Sequence, residues 1–290
     1  MPIRTALLVY KQSAYESYFG RYRSRRVSRL AEGGDRQLGR IRRSHDRHYG
    51  SLEAVERALR LSGVRTRRLL RGRAFDERDY DLIVSVGGDG TFLEAARQVR
   101  SRLVIGVNSD TSHSVGRFCY CDADGFAGIL DRILKGSAPA REIWRLILRL
   151  DGRTVLSPVL NDVLVGHAVP AAMSHYVITL GGVRERQRSS GVWISTAAGS
   201  TGACRSAGGR VRAVHQRQVQ YVPRELFEGH GKRYRLRGGE VKGDLSGLVI
   251  ESQMEEGRLY VDGAHRSVPF RFGSRLTIRR DPRPLRVVHA

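Results

Sequence analysis

Cysteine is scarce in this chain of 290 residues, which contains three: Cys119, Cys121 and Cys204. An odd number this small does not support a disulfide framework. Cys119 and Cys121 are separated by a single residue, and no cysteine or histidine pair follows them at the spacing of a zinc site. The sequence therefore predicts reduced, structural thiols.

Long apolar runs are also missing. No stretch approaches the roughly 18 apolar residues that a membrane span requires. The first residues form a short apolar run, Thr5 to Tyr10, and polar sequence follows at once, unlike the apolar stretch of a signal peptide. Because 40% of the residues are hydrophobic, the chain can still bury a core. We expect a soluble, cytoplasmic protein without a membrane partner.

Lysine is rare although the chain is strongly basic. The formal net charge is +22, and only 4 of the 51 lysines and arginines are lysine. Clustered positive charge attracts nucleic acids, but these arginines are spread along the whole chain. The densest stretch, residues 21–47, shows no helix-turn-helix, zinc-finger or RNA-recognition pattern. We therefore expect no specific nucleic-acid partner, and the basic surface suits an enzyme with polyanionic substrates.

Apolar strands alternate with amphipathic helices in the first half of the chain. The strands are predicted at residues 5–10, 80–86 and 103–107. The helices are predicted at residues 51–61, 92–100 and 125–135, with Ser51 as the N-cap and Gly63 as the stop signal of the first one. This alternation indicates a parallel, doubly wound α/β sheet, which we assign to residues 1–137.

The second half has a different pattern, and we assign it to residues 138–290. Short β-type runs with little helical periodicity are punctuated by glycine, proline and aspartate. They are residues 144–150, 158–165, 175–180, 192–196, 248–251, 259–261, 268–272 and 276–279. This half is predicted to form an all-β, sandwich-like domain.

A glycine-rich motif, Gly87-Gly88-Asp89-Gly90-Thr91, separates a predicted buried strand from a predicted helix. Ligands of open α/β sheets bind at the carboxyl ends of the strands. Glycines there allow the backbone to approach a phosphate, and the helix offers free N–H groups. A carboxylate beside phosphates is repelled unless it holds a metal or accepts a proton from an attacking hydroxyl. The alternative is a tight turn in which Asp89 only caps the helix.

Three motifs in order resemble those of the NAD kinase family. Residues 87–91 resemble the motif that NAD kinases share with diacylglycerol- and sphingosine-type lipid kinases and, more loosely, with phosphofructokinases. Residues 160–163 are similar to the Asn-Glu step of NAD kinases, with aspartate in place of glutamate. Residues 195–201 with 206–209 resemble their Ser-Thr-Pro-Thr-Gly-Ser-Thr and Ser-Ala-Gly-Gly segments. The second and third motifs separate NAD kinases from the lipid kinases.

A finer resemblance points to the mitochondrial-type branch of that family. Residues 106–116 are similar to its Asn-Thr-Asp…Ser-x-Gly pattern. The tyrosine- and arginine-rich opening, residues 189–191 and residues 219–225 also look like that branch. In this interpretation the resemblance covers nearly the whole chain.

The resemblance implies a role for each residue of the motifs. Gly87, Gly88, Gly90 and Thr91 would border the phosphates of ATP, and Asp89 would be the catalytic residue that serves the 2′-hydroxyl of the adenosine ribose of NAD. The residues implied to bind NAD, by hydrogen bonds to its ribose and base or by lining its pocket, are Asn108, Asn161, Asp162, Thr201 and Ser206.

The family also implies the fold and the cofactors. It implies a Rossmann-like, doubly wound α/β N-terminal domain plus an all-β sandwich-like C-terminal domain. ATP and NAD would be the substrates, with Mg²⁺ or another divalent cation whose protein ligands the sequence does not assign. A homodimer or a homotetramer is expected.

Several alternatives stay open from the sequence. Ser190 stands where most NAD kinases have aspartate, and Ala197 and Ala198 replace the proline and threonine of the family segment. A lipid kinase or a non-catalytic dinucleotide-binding relative is the alternative function. If Asp89 is not the base, Asp110 and Asp162 are the next candidates. NAD or NADH as acceptor, and ATP or polyphosphate as donor, are not distinguished.

Overall fold

The computed structural model describes residues 3–21, 36–231 and 233–288. The chain divides into two compact units, Met1–Arg141 with Leu285–Ala290, and Glu142–Pro284. The boundary was predicted between residues 137 and 138, with everything after it in the second domain. The structure differs at the end of the chain, whose last residues return to the first unit. Residues 22–35, part of the arginine-dense stretch 21–47, lie outside the described residues.

The strands are, in chain order, β1 (Thr5–Tyr10), β2 (Arg65–Leu70), β3 (Leu82–Gly87), β4 (Leu103–Asn108), β5 (Cys121–Asp122), β6 (Ala140–Ile143), β7 (Leu146–Leu150), β8 (Arg153–Val159), β9 (Asp162–His167), β10 (Ser174–Leu180), β11 (Val183–Ser189), β12 (Val192–Thr196), β13 (Val219–Pro223), β14 (Gly239–Glu240), β15 (Val249–Ser252), β16 (Gly257–Val261), β17 (Ser267–Pro269), β18 (Arg275–Arg280) and β19 (Leu285–Val288). The α-helices are Ala14–Glu16, Arg36–Leu61, Asp89–Gln98, Ala123–Leu134 and Ala203–Ser206. Shorter helical turns are Ser17–Arg21, Glu77–Asp79, Ala198–Thr201, Gly229–Gly231 and Leu245–Gly247.

The first unit is built on a sheet with the order β2-β1-β3-β4-β19-β6, and β5 also pairs with β4. The neighbours from β2 to β19 run parallel. Every residue of β3 is buried, as expected for a strand that is covered on both faces. Ala6 and Leu8 pack into the core formed with helices Arg36–Leu61 and Ala123–Leu134. Helix Asp89–Gln98 contacts β1 and β3, and the predicted parallel α/β architecture is confirmed.

Helix Arg36–Leu61 is much longer than the predicted helix 51–61. Its buried residues, His48, Leu52, Val55 and Leu59, recur at the spacing of one helical face. Ser51 lies inside this helix, so its prediction as an N-cap was wrong; its hydroxyl instead donates to the carbonyl of Ser109 at 3.3 Å. The predicted stop is confirmed, since Gly63 follows the helix with a φ of 74°, a conformation that glycine adopts readily.

The second unit consists of two antiparallel sheets, with the orders β11-β10-β15-β18-β7-β8 and β14-β13-β12-β9-β16-β17. Alternate residues of both sheets, such as Ile178 and Ile194, contribute to one core, which is the pattern of a sandwich. The run predicted at residues 158–165 is in fact two strands, because the chain turns at Leu160 and Asn161 between β8 and β9. Among the described residues, none of the helices has the length and hydropathy that a membrane crossing requires.

A fully buried histidine joins helix Arg36–Leu61 to the carboxyl ends of β1 and β4. His48 is 0% exposed. Its Nε2 donates to the carbonyl of Lys11 and its Nδ1 accepts from the hydroxyl of Ser109, each at 2.8 Å. These partners satisfy the neutral ring, and burial lowers the pKa of His48 to about 4.

Acidification is therefore expected to destabilise the protein through His48 by about 3 kcal/mol. The unfolded chain binds a proton on this residue below about pH 6.5, whereas the folded chain does so only near its pKa of about 4. The stability is fully present above pH 6.5 and is lost as the pH falls towards 4. Urea unfolding across this range measures the loss, with His48→Gln as the non-titrating comparison. If the free energy of unfolding fell equally with pH in the two proteins, His48 would not be the residue responsible for the loss.

Candidate functional site

The glycine motif forms the turn that the sequence predicts. β3 ends at Gly87, and helix Asp89–Gln98 begins after Gly88, which provides no side-chain cap. The turn lies at the carboxyl end of a central parallel strand, where the first N–H groups of the helix have no partner within it. A side chain at Gly87 would collide with that of Thr91, so this position requires glycine. The local geometry is that of an anion-binding turn.

Asp89 is held by one of its two carboxylate oxygens. Oδ1 accepts a hydrogen bond from the backbone N–H of Phe118 at 2.9 Å. Phe92 lies one turn along the helix from Asp89, and its ring stacks on Phe118 with the centroids 5.1 Å apart; this packing brings Phe118 to the carboxylate. The other oxygen, Oδ2, has no hydrogen-bond partner among the described residues. An oriented, half-buried carboxylate with a free oxygen can accept a proton or bind a cation.

Asn108 stabilises the loop that follows β4. Its Nδ2 donates to the carbonyl of Ser114 at 3.0 Å, and its Oδ1 accepts from the N–H of Asp110 at 3.1 Å. Only one N–H and one lone pair of the amide are left for a ligand. The structure thus places Asn108 beside the glycine turn, in register with Gly87, and gives its side chain a defined role within its own loop.

Asp110 connects the same loop to helix Arg36–Leu61. Its carboxylate accepts from Ser44 Oγ at 2.6 Å and from Arg47 Nε at 2.9 Å, and His113 Nδ1 lies 3.2 Å away. Burial raises the pKa of Asp110, but the hydrogen bonds from these three side chains outweigh it and hold the pKa below the usual value. Both oxygens are engaged, which makes Asp110 a poorer proton acceptor than Asp89.

The second unit brings the remaining motifs together around a buried turn. Three consecutive backbone N–H groups, those of Leu160, Asn161 and Asp162, donate to the carboxylate of Asp262 at distances of 2.7–3.3 Å. Asp262 follows β16, and its own N–H donates to the carbonyl of Asp162 at 3.0 Å. One carboxylate therefore determines the shape of the turn between β8 and β9.

Asp162 and Asp262 are both buried and close enough to influence each other. Burial raises the pKa of Asp162 to about 7, and the negative charge of Asp262 adds to the effect. The three backbone N–H groups favour the charged form of Asp262, so the proton of the pair belongs on Asp162. Near neutral pH this carboxyl group can donate as well as accept a hydrogen bond.

Asn161 carries a buried polar atom without a partner. Its Oδ1 has no hydrogen bond with any described residue. Its backbone carbonyl accepts from the N–H of Thr196 at 2.9 Å, and Thr196 Oγ1 donates to the carbonyl of Leu160 at 2.5 Å. A side chain at Gly199 would collide with the carbonyl of Asn161, so glycine allows the two predicted motifs to pack together. A buried amide oxygen left unpaired at this contact indicates a ligand position, since such groups are normally satisfied.

The structure places the two remaining predicted residues further along the segment. Thr201, half-buried, ends the helical turn that begins at Ala198. Ser206 is exposed and lines a cavity of about 520 Å³ together with Trp193, Arg224 and others. The segment between Thr201 and Ser206 lies close to Asp162, since a Cβ atom placed on Gly202 would lie 4.0 Å from Oδ2 of Asp162.

Metal-binding clusters are not found in the part of the chain that the structure describes. No group of three or more histidine, cysteine, aspartate and glutamate side chains is arranged to hold a metal ion there. A divalent cation that reaches the protein on phosphates needs fewer ligands, since Mg²⁺ binds through one or two carboxylates together with phosphate oxygens and water. The free oxygen of Asp89 fits that requirement.

Comparison with known proteins agrees with these motifs. Residues 34–138 match the family model described as the ATP-NAD kinase N-terminal domain. The chain is 35% identical over 237 residues to a probable NADH kinase of Oryza sativa subsp. japonica, and the alignment covers 72% of this chain and 71% of that protein. The chain belongs to the NAD kinase family. This match favours the NAD kinase interpretation of the glycine motif over the lipid kinase that shares it.

One further relative and two solved structures are also similar to this chain. The mitochondrial NAD kinase 2 of Homo sapiens is 30% identical over 249 residues, which cover 67% of this chain and 55% of that protein. The fold is that of an Archaeoglobus fulgidus NAD kinase solved in complex with ATP, with a TM-score of 0.70, 22% identity and coverage of 98% and 93% of the two chains. It is also that of yeast NADH kinase complexed with NADH, with a TM-score of 0.69, 16% identity and coverage of 100% and 84%.

Sequence reasoning about this NAD kinase family member did not single out Asp262. Its only local signal is an aspartate followed by glycine at the end of a predicted strand, which also describes an ordinary turn. The residues that it orders are about 100 positions away in the sequence. Only the pairing of β9 with β16 brings them together.

Proposed function

We propose that this protein transfers the γ-phosphate of ATP to the 2′-hydroxyl of the adenosine ribose of NAD. The observation that carries the proposal is Asp89, whose carboxylate has one oxygen fixed by Phe118 and the other without a hydrogen bond to the described residues, at the uncapped start of a helix. Phosphoryl transfer requires positioning and charge neutralisation more than covalent chemistry. An oriented base together with a turn that borders phosphates would meet these two requirements.

The first unit would supply the donor site. Gly87, Gly88, Gly90 and Thr91 would border the phosphates, and Mg²⁺ would accompany ATP on its phosphate oxygens. The cation would neutralise charge on the phosphates during transfer. Asp89 would accept the proton of the attacking hydroxyl, a task that needs an unprotonated oxygen within hydrogen-bond reach.

The second unit would supply the acceptor site. The unpartnered Oδ1 of Asn161 and the carboxyl group of Asp162 would hydrogen-bond the ribose and base of the dinucleotide. Thr201 and Ser206 would line the same pocket. NADH is the second acceptor to test, because relatives of this chain in rice and Arabidopsis thaliana bear the name NADH kinase.

A coupled assay tests the proposed function. The purified protein is incubated with Mg-ATP and either NAD or NADH, and the product is detected with an NADP-specific dehydrogenase. NADP or NADPH should appear together with one ADP per product. Dinucleotide binding without any product would instead identify a non-catalytic relative, and ADP release stimulated only by a diacylglycerol or a sphingoid base would identify a lipid kinase.

Replacement of Asn161 by alanine should raise the Michaelis constant for NAD about ten- to a hundredfold, or roughly 1–3 kcal/mol, because the groups of NAD that it binds would lose their buried partner. The Michaelis constant for ATP should not change. Gln253→Ala is the matched control, since Gln253 also carries a buried amide oxygen without a partner among the described residues but lies outside the predicted site. Equal effects of the two substitutions would remove Asn161 from the acceptor site.

The oligomeric state and the cellular location of the protein are still predictions. We propose a homodimer or a homotetramer, which size-exclusion chromatography with light scattering would test. We also keep the prediction of a cytoplasmic location. Because relatives include mitochondrial proteins, fractionation of the source cells is the relevant experiment.

A further inference from the structure

Two basic residues end the strands on one side of the glycine turn. In the parallel register Tyr10 pairs with Leu70 of β2 and with Val86 of β3. The ladder extends one residue further, since the N–H of Arg71 donates to the carbonyl of Tyr10 at 2.7 Å. Arg71 and Lys11 therefore follow the ends of β2 and β1, and Gly87 ends the neighbouring strand β3. The two cations lie at the edge where ligands of such sheets bind.

The side chain of Arg71 reaches the turn itself. A Cβ atom placed on Gly90 would lie 3.5 Å from Nη1 of Arg71, which is ordinary contact distance. The guanidinium group thus lies over the second residue of helix Asp89–Gln98. It covers the part of the turn where a bound phosphate would meet the free N–H groups.

Lys11 and Arg71 lie close enough for their positive charges to influence each other. Burial lowers the pKa of Lys11 and the charge of Arg71 lowers it further, whereas Asp110 raises it. Among the described residues neither ammonium nor guanidinium has a hydrogen bond or an ion pair. Asp110, the carboxylate that influences Lys11, is engaged with Ser44 and Arg47. Two adjacent cations without an anion destabilise the protein unless a ligand supplies the negative charge.

A third group at the turn is also without a partner. The side chain of Thr91 is 1% exposed, and its Oγ1 makes no hydrogen bond with the described residues. A buried hydroxyl of this kind is normally satisfied. Within the described parts of the chain, the turn therefore combines two cations without an ion pair, a hydroxyl without a partner and the N-terminus of a ten-residue helix, all of which favour an anion.

We propose that Lys11 and Arg71 bind the terminal phosphates of the nucleoside triphosphate donor and so determine the preference of this site for triphosphates. The inference rests on the proposed function, whose donor it locates. Asp89 repels the phosphates in the same turn, and the two cations offset that repulsion. Arg71 presents a planar fork of donors to phosphate oxygens, and Lys11 contributes a compact charge.

The test is a calorimetric titration of the full chain with Mg-ATP and with AMP, which lacks the two terminal phosphates. Lys11→Met and Arg71→Met should each raise the dissociation constant for ATP about 10–100-fold, as expected for loss of a charge-assisted hydrogen bond. The dissociation constant for AMP should change less than about threefold. Arg73→Met is the matched control, because Arg73 is an exposed arginine two residues further along the same turn. It should leave both constants unchanged.

Thermal unfolding separates a binding role from a structural one. Without nucleotide, each variant should have the Tm of the original protein or a higher one, because the repulsion between the two cations is removed. The stabilisation by Mg-ATP should shrink in parallel with affinity. Lys11→Arg and Arg71→Lys keep the positive charge, so they should retain most of the affinity for ATP. They replace the methionine variants in the test if one of those does not fold.

The outcomes separate this inference from the proposed function. Unchanged ATP affinity in both methionine variants, equal losses for ATP and AMP, or a wild-type protein that binds ATP no more tightly than AMP would each overturn it. A wild-type protein that binds ATP through Lys11 and Arg71 but never phosphorylates NAD would overturn the proposed function and leave the inference standing.

Discussion

Replacement of Asp89 by asparagine should lower kcat by about 10²–10⁴, the range for loss of a general base. A ribose hydroxyl is a poor nucleophile unless its proton is accepted as the bond to phosphorus forms. Asparagine preserves the shape of the side chain and can still accept the N–H of Phe118 through Oδ1. It cannot accept a proton at the position of the free oxygen. The loss is therefore confined to the transition state, and the affinities for ATP and NAD should change only severalfold.

Asp122→Asn is the matched control for this experiment. Asp122 also stands at a helix start, and its side chain accepts from the N–H of Gly125 at 3.0 Å. Asparagine caps helices as well as aspartate does, so this variant should keep normal turnover. If Asp89→Asn behaves in the same way, Asp89 is only part of the helix start.

A collapse of ATP affinity together with turnover in Asp89→Asn would indicate that Asp89 mainly holds Mg-ATP. The base would then have to be another carboxylate. Asp110 is engaged with Ser44 and Arg47, whereas Asp162 has a pKa raised by burial to about 7. Turnover of Asp110→Asn and of Asp162→Asn would identify which of the two supplies the base.

Replacement of Asp262 by alanine should reduce the free energy of unfolding by about 3–9 kcal/mol. The N–H groups of Leu160, Asn161 and Asp162 would lose their acceptor, and each buried group left unpaired costs about 1–3 kcal/mol. Alanine would also be strained at the φ of 49° that Asp262 adopts. Urea unfolding measures the total loss.

Two further variants isolate the role of the Asp262 carboxylate. Asp262→Asn tolerates the backbone conformation, so it tests the hydrogen bonds and the charge without the strain. Asp244→Ala removes an exposed carboxylate that accepts from the N–H of Ser246 at 3.1 Å, and it should cost only about 1 kcal/mol. A loss for Asp262→Ala no larger than this would show that water replaces the carboxylate at the turn.

Asp262→Asn should also change the pH dependence of NAD binding at the acceptor site. Without the negative charge of Asp262, the pKa of Asp162 should fall, because that charge contributes to raising it. The pH at which NAD affinity changes should then move downwards in Asp262→Asn. An unaltered pH profile would show that Asp162 does not titrate with the bound dinucleotide.

The secondary structure of the first unit could be predicted from the sequence wherever it depends on residues that are close together in the chain. The glycine turn from Gly87 to Thr91 depends on a strand, a turn and a helix that are contiguous in the chain, so their order in the sequence is their order in space. Ser51 was misread because a capping residue is recognised by what precedes it, and the preceding residues are themselves helical. β2 was missed because three of its six residues are arginine, which hides the apolar pattern of a strand.

By itself, the sequence determined the order of motifs, the change from α/β to β architecture and the residues that could carry chemistry, since each depends on neighbours within a few positions. Only the tertiary structure decided what surrounds them. The pairing of β9 with β16 places Asp262 under the Asn161 turn, and the register of β1 with β2 places Arg71 beside Lys11. Such contacts join residues that are far apart in the chain, and the strand pairing that makes them is selected by burial of the whole core. No local pattern encodes them.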